Sequence, residues 1–416
     1  MAQYAAAGSE KVTLRNFVSE ENSIARTTIN TTTRERALLV AVADKKSRGK
    51  KAAENSIEEL SQLAESAGAK VVGKIIQQMD APSHDYYIGS GKLQEIQTLK
   101  ETTDYTVVIF DDELKPIQQK NLEDALHVKV IDRVALILDI FARRARTHEG
   151  RLQVELAQHR YLLPRLAGQW QHLERLGGGI GTRGPGESQM ETDRRLIHRK
   201  IQRLEEQTEE IRKRRAQYRQ KRQQSGIPMV TLVGYTNSGK STLLNALCRS
   251  DVLVDDRLFA TLDPTTRRLT LPDNTTVLLS DTVGFIRKLP PTIIDAFRAT
   301  LEELDEANLL LHVVDVASGD AAEQYQTVES ILGEMGLADK PRITVLNKID
   351  LYLEKVESLP GAVWDEKAAQ EYFLAQGMSA EENTVHVSAV KRWGFNRLLE
   401  LISEILAPPH ISHFLD

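Results

Sequence analysis

The stretch Gly234-Tyr-Thr-Asn-Ser-Gly-Lys-Ser241 follows the apolar run Met229 to Val233 and leads into the helix-like Thr242 to Cys248. A strand, a glycine-bearing turn and a helix start, with Lys and Ser at the helix start, form the pattern of a phosphate-binding loop. Glycine lets successive backbone N–H groups curl around an anion, and the following helix points its positive end at the same place. Lys240 is then expected against the β and γ phosphates of a nucleotide, and the Ser241 hydroxyl on Mg2+. A chance glycine turn is the plainer alternative, and the sequence downstream opposes it.

Three more strand-like runs follow. Val277 to Ser280 ends in Asp281-Thr282-Val283-Gly284, where Asp281 can hold Mg2+ through water and the Gly284 N–H can sense the γ-phosphate. Leu309 to Val314 is the next strand, and Ile343 to Leu346 ends in Asn347-Lys348-Ile349-Asp350. A carboxylate at Asp350 accepts from guanine N1–H and the exocyclic amine, which adenine cannot supply; such pairing discriminates by ~10⁴ or more. Asn347 and Lys348 would brace the base and the loop. The ordered set implies GTP and GDP binding by an α/β domain with a mostly parallel sheet and helices on both faces. Which threonine joins Ser241 on the metal is open among Thr261, Thr265 and Thr266.

Upstream, strand-like and helix-like runs alternate from Ala37 to Ile131, predicting a small α/β domain over 34–133 with a parallel sheet. Within it Ile88-Gly-Ser-Gly-Lys92 resembles half a phosphate loop, but no Ser or Thr follows the Lys, so a turn into a helix explains it better than a second nucleotide site. Asp111 and Asp112, ending a strand, read as a cap or turn rather than a catalytic pair. From about 134 the pattern becomes long helices. Leu152, Leu156, His159, Leu163, Leu166, Trp170 and Leu173 share one face, as do Ile197, Ile201, Leu204, Thr208, Ile211, Arg215 and Tyr218. Pro164 predicts a kink or break. Two amphipathic helices over 134–226 pair most simply as an antiparallel hairpin, with His159 as a packing residue. The G domain is expected over 227–408, with an uninterpreted segment at 354–382 and tails at 1–33 and 409–416.

Residues 143–222 carry a formal net charge of +10 and the remainder −15, although the whole chain is only −5. Such polarity fits a polyanion, nucleic acid above all, as well as a merely solvated helical face. The tip, Leu176-Gly-Gly-Gly-Ile-Gly-Thr-Arg-Gly-Pro-Gly-Glu187, is a flexible connector or a low-bulk finger for a crowded RNA pocket. The charge of its stalk favours the finger. One cysteine, Cys248, excludes a disulfide framework and argues against a zinc cluster. No run approaches the ~20 apolar residues of a membrane span, so a soluble, cytoplasmic protein is expected, with at most peripheral membrane association.

The phosphate loop Gly234-Tyr235-Thr236-Asn237-Ser238-Gly239-Lys240-Ser241, together with Phe259-Ala260-Thr261-Leu262-Asp263, Asp281 to Gly284, Asn347 to Asp350, Tyr87 to Lys92 and the glycine finger, resembles the HflX family of GTPases from about residue 35 to 400. The resemblance implies that Thr261 is the switch threonine sharing Mg2+ with Ser241, and that Lys240, Thr261 and Gly284 serve hydrolysis. It implies binding to the large ribosomal subunit and its RNA rather than DNA, hydrolysis stimulated there, and separation of idle or stalled ribosomes into subunits. A monomer without stable membrane insertion is expected. Rival readings are a GTP-gated modulator or assembly factor without splitting, and ATP-dependent RNA remodelling by the N-terminal domain. Asn237 matches an asparagine that helps hold K+ in related GTPases, or it simply stabilises the turn. The last guanine loop, usually Ser-Ala-Lys, here reads Ser388-Ala389-Val390, where the Ala389 backbone is expected on guanine O6. Phe285 follows Gly284 where many GTPases have a water-orienting glutamine, so hydrolysis should be slow without a partner.

Overall fold

The computed structural model describes residues 34–45, 49–176, 185–224, 226–248, 258–259, 262, 265–288, 290, 293, 303–356, 364–376 and 382–407. The expected tails, the finger from Gly177 to Gly184 with Thr182 and Arg183, and Ala260, Thr261 and Asp263 lie outside these residues.

Near-continuous apolar runs make strands that are buried on both faces, and here they build two largely parallel sheets. In the first, β1 (Arg36–Asp44), β2 (Lys70–Met79), β3 (Val107–Phe110) and β4 (Lys129–Asp132) stand in the order β2-β1-β3-β4, every pair parallel. Helices α1 (Gly49–Ser66) and α4 (Arg133–Arg144) cover one face through Leu60, Leu63, Ile137 and Phe141; α2 (Ser90–Thr103) and α3 (Pro116–Leu126) cover the other through Ile96, Leu122 and Leu126. The glycine-rich Ile88 to Lys92 starts α2, with Gly89 as its N-cap and Lys92 paired to Glu95 at 2.6 Å.

Two long helices follow, α5 (His148–Leu176) and α6 (Pro185–Gln224). They pair antiparallel through Leu152, Leu156, Ile201 and Leu204, flanked by Lys200–Glu155, Arg160–Glu205 and Arg215–Glu149 ion pairs at 2.7–2.9 Å. His159 is mostly buried on this face beside Glu155. The helix does not break at Pro164. Proline takes away the hydrogen bond to the carbonyl four residues back, that of Arg160, and next to it Arg165 bends back to donate to Tyr161 O at 2.9 Å while stacking over the Tyr161 ring. The same guanidinium reaches Leu114 O and Asp132 Oδ2, both at 2.9 Å, and so pins α5 to the first sheet.

The second sheet contains β5 (Met229–Gly234), β6 (Thr265–Thr270), β7 (Thr276–Asp281), β8 (Leu309–Asp315), β9 (Arg342–Asn347) and β10 (Thr384–His386), in the order β10-β9-β8-β5-β7-β6. Only β6 runs antiparallel to its neighbour. Helices α7 (Lys240–Cys248) and α11 (Phe395–Leu406) cover one face and α8 (Ala321–Glu334) the other, while α9 (Ile349–Val356) and α10 (Glu366–Ala375) pack together beyond β9. Part of the 354–382 segment is thus helix α10. The apolar cluster under α8 continues without interruption into the first domain, with Val233, Phe259, Phe285 and Leu310 in one body with Leu39, Leu60, Ile137 and Phe141.

Candidate functional site

Because β5, β7, β8, β9 and β10 are parallel, their C-terminal ends share one edge, where α/β sheets place their ligands. The turn from β5 into α7 lies at its centre. Gly239 holds φ +94°, and a Cβ there would sit 2.3 Å from Asn347 Nδ2. The turn therefore touches the end of β9 directly: Asn347 Nδ2 donates to Ser238 O at 2.9 Å and Lys348 Nζ to Asn237 O at 2.8 Å. Lys348 also pairs with Asp315 at 2.7 Å.

Lys240 is buried and donates to Gly234 O (3.1 Å) and Tyr235 O (2.8 Å), folding its ammonium over the cradle. Burial lowers its pKa to about 8, against the opposing pull of the Asp281 carboxylate. Gly284 is close by, since a Cβ there would lie 2.9 Å from Lys240 Nζ. Ser241 Oγ donates to Asp281 Oδ2 at 2.6 Å. A hydroxyl and a buried carboxylate in contact beside a phosphate loop form a hard-oxygen set that fits Mg2+.

Asp350 is buried, and the backbone of Ala389 meets the same constellation: its N–H donates to Asn347 Oδ1 at 3.1 Å. Guanine O6 would therefore share that amide with Asn347, a constraint the motif does not reveal. Val390 is 73% exposed.

Several motif residues keep their side chains out of the site. Phe259 packs edge-on against Phe141 of α4, centroids 4.6 Å apart, and Leu262, Val283 and Ile349 are core residues. Thr282 Oγ1 donates to Leu232 O at 2.7 Å. Tyr235 turns its hydroxyl away from the phosphate position and donates to Glu59 of α1 at 2.8 Å. Phe285, buried and backbone-paired with the loop through Thr236 N to Phe285 O at 2.7 Å, cannot orient water. Thr265 and Thr266 open β6, where the Thr266 hydroxyl meets Ser280 at 3.2 Å.

Asp111 and Asp112 lie in the bend that ends β3, and their carboxylates also reach across to other elements. Asp111, 1% exposed, pairs with Arg133 at 2.8 Å and with Lys288, four residues beyond Gly284, at 2.5 Å; Asp112 takes the same Lys288 at 2.5 Å. Arg287 N–H donates to Tyr235 Oη at 2.8 Å. The first domain thus grips both the phosphate loop and the segment after Gly284. The visible signal was two carboxylates at the end of an apolar strand, with a basic residue five places after Asp281-Thr-Val. A polar cavity of about 330 Å³ opens at this junction, bordered by Glu59, Thr236, Asn237, Arg287 and Asp320.

A strand-turn-helix cradle with a buried lysine, a Ser241–Asp281 oxygen pair that fits Mg2+ and an Asn-Lys-x-Asp turn on one sheet edge have the arrangement of a P-loop GTPase. Residues 54–142, 144–222 and 229–348 match family profiles described as GTP-binding GTPase N-terminal, GTP-binding GTPase Middle Region and 50S ribosome-binding GTPase. GTPase HflX of Caldanaerobacter subterraneus is 48% identical over 92% of this chain and 83% of its own, and that of Escherichia coli 45% over 86% and 81%. A GTP-binding protein from Sulfolobus solfataricus, solved with GDP, is 27% identical over 89% of this chain and 98% of that one, with a TM-score of 0.44. The chain belongs to the HflX family of GTPases. No helix among the described residues is long and apolar enough to cross a membrane.

Proposed function

We propose that this GTPase binds the large ribosomal subunit and its RNA and, in its GTP form, separates idle or stalled ribosomes into subunits. The observation that carries the reading is a basic arm attached to a guanine-nucleotide switch: Arg194, Arg195, Arg199, Lys200 and Arg203 of α6 are all exposed. Such a row provides phosphate contacts. Arg183 at the tip would reach furthest into the RNA. Ser241 and Thr261 would ligate Mg2+, which neutralises charge between the β and γ phosphates when bound. Lys240 would hold those phosphates, and the Gly284 amide would register the γ-phosphate. Asn237 would help hold K+. With Phe285 unable to orient water, hydrolysis would be slow alone and faster on the ribosome. The protein would act in the cytoplasm as a monomer, with any membrane association peripheral.

The test is sedimentation of intact ribosomes with the protein and a non-hydrolysable GTP analogue across a salt series. Splitting predicts loss of the monosome peak, with binding that weakens steeply as salt rises. An unchanged monosome peak removes splitting and leaves a modulator or assembly factor. ATP hydrolysis that survives Lys240→Ala would point instead to the N-terminal domain.

A further inference from the structure

Helix α10 belongs to none of the nucleotide motifs, yet it touches both walls of the base pocket. Its Ala369 and Phe373 pack with Ile349 and Leu353 of α9, the helix whose first turn holds Asp350. Phe373 also stacks on His386 of β10, centroids 4.4 Å apart and planes 19° apart. At the start of α10, Glu366 Oε1 accepts from Gly394 N–H at 2.8 Å. That amide ends the loop carrying Ser388-Ala389-Val390, which Ser388 and Trp393 close by exchanging two backbone hydrogen bonds at 3.2 Å. On its inner side the loop has no slack, because a Cβ on Gly394 would lie 2.1 Å from His386 O.

We propose that α10 braces the guanine pocket by fixing the spacing between Asp350 and the 388–390 turn, and that Glu366 is a positioning residue for recognition of guanine O6. A carboxylate accepting from a backbone amide makes a charge-assisted bond, the stronger kind. Discrimination by backbone donors depends on their being held before the base arrives. A purely structural alternative exists, since Gly394 is the N-cap of α11 and an acid there also favours that helix. A helix-stabilising role would affect every nucleotide alike; a positioning role acts only where O6 is read. The inference rests on the guanine pocket and is independent of the ribosome.

The experiment is calorimetric titration of the full chain and its Glu366→Asp and Glu366→Gln variants with GDP and with 6-thioguanosine diphosphate, which replaces O6 by a weakly accepting sulfur and keeps the N1–H and 2-amino group that Asp350 reads. Glu366→Asp keeps the charge but shortens the reach, and should weaken GDP about tenfold while moving the O6-less nucleotide less than about twofold. Glu366→Gln keeps an Oε1 acceptor but not its charge, and should lose part of what Glu366→Asp loses for GDP while leaving the O6-less nucleotide within about twofold. Equal losses for the two nucleotides, or no loss of GDP binding in Glu366→Asp, would overturn the proposal. An unmodified chain that failed to prefer GDP over ADP would instead remove the guanine pocket itself, a failure distinct from that of the brace.

Discussion

Gly239 and His386 show how far single residues constrain the nucleotide edge. Substituting alanine at Gly239 forces a side chain into left-handed backbone and onto Asn347 Nδ2, at a cost of about 1–2 kcal/mol for the backbone and about 1 for the Asn347 to Ser238 hydrogen bond. Gly239→Ala should therefore weaken GDP by more than about tenfold in a fluorescence titration; undiminished affinity would mean the close approach is not needed. His386 is held below its usual pKa by burial, and its Nε2 has no hydrogen-bond partner among the described residues. The folded chain keeps the imidazole neutral while the unfolded chain takes a proton near pH ~6.5. This contribution to stability is thus full above that pH and lost as pH falls toward the lower folded pKa, by at most about 1.4 kcal/mol per unit. Urea midpoints between about pH 5 and 8 should show that slope in the parent chain and a shallower one in His386→Phe, which retains the stack on Phe373. Parallel profiles would refute it.

At the scale of elements, the junction between α1, β3 and the segment after Gly284 separates strong from weak electrostatics. Asp111 and Arg133 are each 1% exposed, so removing one partner leaves a buried charge poorly matched. Asp111→Asn should cost about 2–4 kcal/mol in urea unfolding. Lys288 is 40% exposed, so solvent screens its pairs, and Lys288→Met should cost about 1 kcal/mol or less. Equal costs would mean that the two pairs share one environment. The same contrast explains what could be read beforehand. The strand and helix order, the phosphate turn and the Asn-Lys-x-Asp turn were legible because periodicity and turn chemistry are local. The grip of Asp111 on Lys288 joins residues 177 positions apart, and no local pattern encodes such a partner. The continuity of α5 through Pro164 was hidden for a similar reason, since Arg165, the next residue, anchors the helix to Leu114 and Asp132, distant in sequence. The motif around Phe259 assigns a backbone position only, whereas its ring answers to the nearest apolar surface, Phe141.

For the whole molecule, charge is divided between an arm and a body. Reversing Arg195, Arg199 and Arg203 to Glu should leave GDP binding unchanged and flatten the salt dependence of ribosome association, by about one unit of slope for each phosphate no longer neutralised. An unaltered slope would detach the arm from RNA recognition. A different consequence follows from the apolar body that runs unbroken from Leu39 and Phe141 to Phe259 and Leu310. The GTPase portion is not a portable module: excised from about residue 227 onward it would expose a wet greasy scar where the first sheet had covered it, and it should clump in solution unless that scar is resurfaced with polar side chains.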